Sequence, residues 1–258
     1  MREISYAEAK VEALREIMEA DERVCLIGSY FLGLSPRRVL MDQLREQFPA
    51  RIFDPPISEA GFCGTAVGAA MAGMRPIVDI ATASFVFNAF PQIVNEAANV
   101  HYMTGGQVPV PIIFHLLHGL RGGGAAQHSH SPQAMLWNTP GLEIMLPASP
   151  YDVKGLLKTA ARSANPTIFV DHARLFEVKG AVPEGDYDIA FGRADVKRSG
   201  RDVSIVATSL MVQVALRAAA DLAAKGIEAE VVDLRTIVPL DKATLLASVA
   251  KTGRVVVV

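Results

Sequence analysis

A chain of 258 residues is long enough for two domains or one large one, and half of it is hydrophobic against a fifth charged, the balance of a globular protein with a filled core. The net charge is −2 without a basic block, which argues against nucleic acid or an anionic membrane as the main partner. The start, MREISYAEAK, lacks the apolar core of a signal peptide, no stretch is long and apolar enough to span a bilayer, and Cys25 and Cys63 lie far apart in apolar runs, so the expectation is a reduced, cytoplasmic chain with two buried thiols.

Ser5 to Glu8 reads as a capping box and opens an amphipathic helix to about Ala20. Arg23 to Ile27 reads as a short buried strand. Ser35-Pro36 supplies an N-cap and a first-turn proline for a second helix that ends near Phe48. Arg51 to Phe53 and Pro76 to Ile80 read as strands. Between them lies Pro55 to Met74, PPISEAGFCGTAVGAAMAGM, whose one charge is Glu59. Gly64 and Gly68 lie four apart, as do Gly68 and Ala72, so on a helix they form one side-chain-poor face. Glycine costs a helix roughly 1 kcal/mol per position relative to alanine. Gly61, Gly64, Gly68 and Gly73 in so short a span therefore ask for a reason. The expectation is a buried helix with a lone, partly desolvated carboxylate at its entrance. The plain alternative for Glu59 is a first-turn charge favoured by the helix dipole.

Ala83 to Met103 reads as one long helix, with Phe85, Phe87 and Phe90 near its start. Val110 to Leu116 is a strong strand, and Gly119 to His130, GLRGGGAAQHSH, is a glycine-rich loop around Gly122, Gly123 and Gly124. Leu142 to Leu146 is a strand, Ser149-Pro150 caps a helix to Ala164, and Thr167 to Val170 is the next strand. Glu177 to Asp202, rich in Gly, Pro and charge, reads as an interdomain linker, which divides the chain into 1–184 and 185–258. Beyond it a second α/β unit begins with Val203 to Ala207, a helix to Lys225 stopped by Gly226, Ala229 to Val232, and Asp241 to Thr252. Arg254 to Val258 reads as a buried strand within which the sequence stops, so a truncated chain is expected. Strands alternating with helices at short spacing give an α/β fold, a parallel sheet with helices on both faces followed by an incomplete second α/β domain.

Three kinds of chemistry can be weighed against the motifs. His128 and His130 beside glycines invite a metal, but zinc takes about four ligands at defined spacing, and no Cys or acidic residue lies near. The loop lacks the GxxxxGK[ST] pattern of a phosphate cradle, and no strand is followed by the GxGxxG of a nicotinamide site. Three phenylalanines at helical spacing are ordinarily core.

The stretch ISEAGFCGTAVGAAMAGMRPIVD closely resembles the pyrimidine-binding motif of the β subunits of thiamine-diphosphate-dependent 2-oxo acid dehydrogenases, and the resemblance runs on through the chain. It implies that Glu59 contacts the cofactor's aminopyrimidine ring and that Phe85, in TASFVFNAFPQIVNE, stacks on it. Ala81 stands where the family often has Met, and Pro91-Gln92 where it often has Asp-Gln; both departures bear on the substrate more than on the cofactor. The tract Ala125 to Ser129, AAQHS, matches the one that supplies an active-site histidine facing the substrate's carboxylate, so the role falls on His128, with Gln127 beside it at the cofactor. His130 reads as a solvated loop residue. Ile112, Ala160 and Asn165 match positions that hold a structural potassium ion in many such subunits, with Ser163 where some have an acid.

The Gly-Asp-Gly motif with a later Asn, which holds diphosphate and magnesium in this superfamily, is missing. That argues against the single-chain transketolases and deoxyxylulose phosphate synthases, and implies an α subunit supplying that half in an α₂β₂ assembly. The implied activity is decarboxylation of a small 2-oxo acid with acyl transfer to a lipoyl acyltransferase. An acetoin-cleaving enzyme is the nearest alternative. A non-catalytic dimerisation subunit is the rival of another class, against which Glu59 and His128 both weigh.

Overall fold

The computed structural model describes residues 1–28, 30–120 and 123–258. Strand β1 (Arg2–Ser5) enters helix α1 (Tyr6–Ala20) through the expected capping box: Ser5 Oγ accepts from the Glu8 N–H at 3.2 Å, and Glu8 Oε2 accepts from the Ser5 N–H at 2.7 Å. There follow β2 (Val24–Ile27), α2 (Val39–Gln47), β3 (Ile52–Phe53), α3 (Glu59–Met71), β4 (Arg75–Thr82), α4 (Val100–Met103), β5 (Ile113–Leu117), α5 (Gln133–Trp137), β6 (Glu143–Met145), α6 (Pro150–Arg162) and β7 (Thr167–Asp171). The rest comprises β8 (Lys179–Val182), β9 (Asp195–Arg198), β10 (Val203–Ala207), α7 (Leu210–Ala223), β11 (Ala229–Asp233), β12 (Thr236–Val238), α8 (Lys242–Thr252) and β13 (Val255–Val257).

The main sheet has the order β12-β6-β7-β5-β4-β2-β3 and is parallel except where β12 meets β6. Its central strands VCLI, IFHLL and TIFVD are buried along their whole length, as a sheet covered on both faces requires. Alternate side chains go to opposite layers. Leu26, Ile77, Ile113 and Phe169 pack with Leu14 and Ile17 of α1 and Leu156 of α6, while Ile27, Val78, Phe114 and Ile168 pack with Cys63 and Val67 of α3.

From β2 the chain steps outward to β3, and α3 then carries it back to β4 on the other side of β2. Where strand order reverses in this way, the carboxyl ends of the strands leave a crevice suited to a ligand. Glu59, the first residue of α3, stands at that end.

Four expectations change. Ala83 to Met103 is not one helix but a 3-10 turn (Ala83–Asn88), a π turn (Gln92–Ala97) and the short α4. Pro91 has no N–H to donate, and its ring would clash with the carbonyl four residues back in a continuous α-helix. Next, α3 is buried on one face only: Gly61, Thr65, Gly68 and Met71 are exposed. The segment from Glu177 to Asp202 is structured, since β8 pairs with β1 at the amino terminus and β9 with β11. Finally, β13 is exposed at the edge of the second sheet, β13-β10-β11-β9, rather than buried.

The two sheets are joined by charge. Asp152, buried in the first turn of α6, accepts from Lys197 Nζ at 2.8 Å and Arg235 Nε at 2.8 Å; Arg235 also reaches Asp195 at 3.0 Å. Asp233, wholly buried at the end of β11, is only partly paired: its Oδ1 accepts the Arg235 N–H at 2.9 Å, while Lys197 Nζ stands 3.6 Å from its Oδ2. Burial, and then repulsion from Asp152, push the Asp233 carboxyl up to about 7, with Lys197 opposing. An unfolded aspartate ionises near 3.9, so between that pH and 7 the folded chain binds the extra proton. Stability should therefore decline as the pH rises through this window, by something on the order of a few kcal/mol in all. Asp233→Asn, which mimics the neutral acid, should remove the decline. Urea midpoints at pH 5 and pH 8 test this, and an advantage for the variant that does not grow with pH would refute it.

Candidate active site

A cavity of about 350 Å³ opens at the crevice. Glu59 and Phe62 of α3, Asp79 to Thr82 at the end of β4, Phe85 and His128 form much of its wall. A larger groove of about 660 Å³ lies elsewhere, but its charges are already paired, Lys158 with Glu16 at 2.6 Å and Asp21 with Arg23 at 2.7 Å. The smaller, more apolar cavity holds the acid, the aromatic and the imidazole together.

Glu59 is 8% exposed, and its Oε2 has Asn88 Nδ2 at 3.4 Å, too long to hold the carboxylate firmly. One turn on, burial and then the Glu59 charge push the Cys63 thiol far above its ordinary range, so it is an inert packing residue. Phe85 projects from the 3-10 turn that replaced the expected helix, and its ring meets the His128 ring edge-on, centroids 5.3 Å apart at 80°. This contact fixes the imidazole. Ala81 sits in the left-handed region at φ 61°, its N–H donating to Asp79 Oδ1 at 2.8 Å.

Other predicted residues fall differently. Gln127 is in the same short turn as His128, Ala126–His128, but is exposed and absent from the cavity wall. His130, read as solvated, is exposed, with its Nδ1 2.7 Å from Ser84 Oγ and its ring edge-on to Phe87 at 5.6 Å. Gly122 of the loop lies outside the described residues. Ile112, Ala160 and Asn165 gather at the opposite, amino-terminal edge of the sheet. There the Ile112 carbonyl accepts from the Thr167 N–H at 2.8 Å, the Ala160 carbonyl from the Ser163 N–H at 3.1 Å, and Asn165 Nδ2 donates to Glu143 at 3.1 Å. Arg75 Nη1 already donates to the neighbouring Ala161 and Ser163 carbonyls, at 2.8 and 2.9 Å. Among the described residues no group of three or more His, Cys, Asp or Glu is arranged to hold a metal.

Sequence reasoning missed the polar groups beneath the site: Lys10, Asp79, His115, His118 and Asp171. The available signal was a charge or imidazole inside an otherwise apolar strand or helix face, which is rare without a partner. His118 directly follows β5, at the root of the histidine loop. Its Nδ1 lies 3.1 Å from Ser131 Oγ, its Nε2 3.2 Å from Ser209 Oγ, and its ring packs on His172 at 5.2 Å. Burial, then the His172 ring, pull its pKa down to about 4, with Asp171 opposing. An unfolded imidazole takes its proton near 6.5. The stability due to keeping His118 neutral is thus fully present above that pH and lost as the pH falls through about 4. In an NMR titration one imidazole should stay neutral to about pH 4 and its signal should vanish in His118→Asn; titration of that ring near 6.5 in the folded chain would contradict the assignment.

The described "Transketolase, pyrimidine binding domain" matches residues 2–178, and the "Transketolase, C-terminal domain" matches 192–258. The chain is 42% identical to the acetoin:2,6-dichlorophenolindophenol oxidoreductase subunit beta of Cupriavidus necator, over 100% of this chain and 79% of that protein. It is 41% identical to the 2-oxoisovalerate dehydrogenase subunit beta of Bacillus subtilis, over 100% and 80%. With the pyruvate dehydrogenase E1 component subunit beta of Rickettsia felis the identity is 44%, over 99% and 79%. A solved structure titled as a split-gene transketolase, inactive beta4 tetramer, superposes with a TM-score of 0.80 at 28% identity, over 98% of this chain and 79% of that one. By fold and by sequence, the chain belongs to the thiamine-diphosphate-dependent family of 2-oxo acid and acetoin dehydrogenase β subunits.

Proposed function

We propose that the chain is the β subunit of a 2-oxo acid dehydrogenase, which decarboxylates a small 2-oxo acid and passes the acyl group to a lipoyl acyltransferase. The observation that carries this is Glu59, buried at the first turn of α3 and opening onto one cavity with Phe85 and His128. The residues fit the pyrimidine half of thiamine diphosphate: a flat apolar wall, an aromatic ring and one weakly tethered carboxylate. Among the described residues, the wall has Asp54, Glu59 and Asp79 but no lysine or arginine, a poor setting for a diphosphate. An α subunit supplying the diphosphate and magnesium contacts resolves that mismatch. The solved relative described as an inactive beta4 tetramer supports the same dependence. The proposed division into units 1–184 and 185–258 is supported by the family matches, which end at 178 and resume at 192. Potassium at Ile112, Ala160 and Asn165 remains part of the proposal through the resemblance alone.

When bound, thiamine diphosphate supplies the nucleophilic carbon and the electron sink for breaking the bond between carboxylate and oxo carbon. Glu59 holds the proton that its carboxyl shares with a nitrogen of the pyrimidine ring. Desolvation in the cavity strengthens that exchange. Phe85 presents ring surface and keeps the His128 imidazole from rotating away. His128 donates its N–H to the anionic end of the substrate and moves a proton as the acyl group leaves. Ala81, small in the cavity wall, leaves room for the substrate's side chain. Cleavage of acetoin in place of a 2-oxo acid is the second reading, favoured by the 42% identity to the acetoin enzyme's β subunit.

Two measurements test the reading. Glu59→Gln, assembled with the α chain, should fold normally and lose about 10²–10⁴ in turnover, since an amide shares no proton with the ring. Near wild-type decarboxylation would reduce Glu59 to a helix charge. Separately, calorimetry on the single chain should find weak or no binding of thiamine diphosphate with magnesium, and tight binding once the α chain is added. Tight, magnesium-dependent binding by the chain alone would rule out the divided site.

A further inference from the structure

We propose that Asp79 is a positioning residue: it holds the Ala81 turn in the wall of the cofactor cavity, and is itself held by a buried hydrogen-bonded chain running through His115 to Lys10 and Asp171. The proposal rests on the cofactor reading above. Asp79 comes from β4, His115 from β5, Asp171 from β7 and Lys10 from α1, so one chain of polar contacts crosses the middle of the sheet. Lys10, His115 and Asp171 are wholly buried and Asp79 nearly so.

The donors fix the order of the protons. Lys10 Nζ donates to the Phe31 carbonyl, to Asp171 Oδ2 at 2.7 Å and toward His115 Nε2 at 3.1 Å. An ammonium group has only donors, so His115 Nε2 is the acceptor and the imidazole proton is on Nδ1. Nδ1–H therefore donates to Asp79 Oδ1 at 2.8 Å. The same oxygen accepts the Ala81 N–H at 2.8 Å. Asp79 thus joins a rigid interior on one side to a strained peptide on the other.

Ala81 is held at φ 61°, which a residue with a Cβ adopts only when its surroundings impose it. The register between β4 and β5 shifts between Asp79 and Thr82, so the regular ladder is interrupted at Ala81. Among the described residues, Asp79 Oδ2 is buried without a partner. A buried acceptor lacking a donor weakens a fold, and a buried ion pair gives little net stability. Stability does not account for such an arrangement. Asp79, Ala81 and Thr82 lie in the same wall as Glu59 and Phe85, and that wall is what the chain holds in shape.

The test uses the enzyme assembled with its α chain, and wild-type calorimetry with thiamine diphosphate comes first. If the wild-type assembly does not bind it, the cofactor reading falls, and amide exchange alone decides the role of Asp79. Asp79→Ala should weaken cofactor binding at least about tenfold, a larger change in the apparent KM for thiamine diphosphate than in kcat. Asp79→Asn keeps an oxygen for both N–H donors and should bind within about threefold of wild type. Without cofactor, the Ala81 amide should exchange at least about tenfold faster in Asp79→Ala and in His115→Phe, a variant that retains packing between Phe31 and Phe169 while removing the donor to Asp79. If Asp79→Ala does not fold, His115→Phe carries both readings. Wild-type cofactor affinity in a folded variant that lacks the contact, or wild-type exchange at Ala81, overturns the proposal.

Discussion

The interior is organised around a positive charge that has no access to water. Lys10 Nζ lies 5.1 to 5.7 Å from the ring centroids of Phe169, Phe176 and Phe31, and all its donors are used. Burial lowers the Lys10 pKa, and Asp171 opposes the fall. Burial works against the Asp171 carboxylate too, yet the Lys10 charge holds its pKa well below the usual carboxylate range. An ion pair so placed adds little net stability, but losing one partner leaves the other charge uncompensated. The helix and the three strands that contribute side chains must therefore keep their mutual register.

A second set of charges does comparable work at the joint between the sheets. Asp152 of α6 receives Lys197 from β9 and Arg235, which stands just before β12 at φ 58°. Strand β12 leaves the second unit to add an antiparallel edge to the first sheet, beside β6. His118 makes a third tie, through Ser209, between the root of the histidine loop and the start of α7. The second unit is thus fastened to the first by backbone, by ion pairs and by an imidazole. The loop that carries His128 is anchored at that same seam.

What the sequence disclosed about itself was what neighbours in the chain decide. Ser5 and Glu8 are three residues apart, so their capping box was readable directly. Glu59, Phe85 and His128 each sit in a distinctive tract, and the cavity brings all three together. The pairing of β1 with β8 joins residues at opposite ends of the first unit, and no local pattern announces it. Ala83 to Met103 carried helical periodicity, but Pro91 decided the geometry. Lys10 and His115 looked like isolated polar residues because their partners lie 161 and 36 positions away, Asp171 and Asp79 respectively. Gln127, a motif position that the resemblance places at the cofactor, is exposed in the single chain.

Helix α3 has two faces with different duties. Cys63, Ala66, Val67 and Ala70 pack on the sheet, while Gly61, Thr65, Gly68 and Met71 look outward, and Gly68 has open space where a side chain would be. Its first residue is Glu59. Any subunit that seats on the outward face presses on the same rigid rod that aims the carboxylate. Occupancy of the cavity and assembly of the complex then become linked equilibria, and thermodynamic reciprocity requires that whatever factor assembly adds to cofactor affinity, the cofactor adds to assembly. A cell short of the cofactor would, on this account, also hold less of the assembled complex.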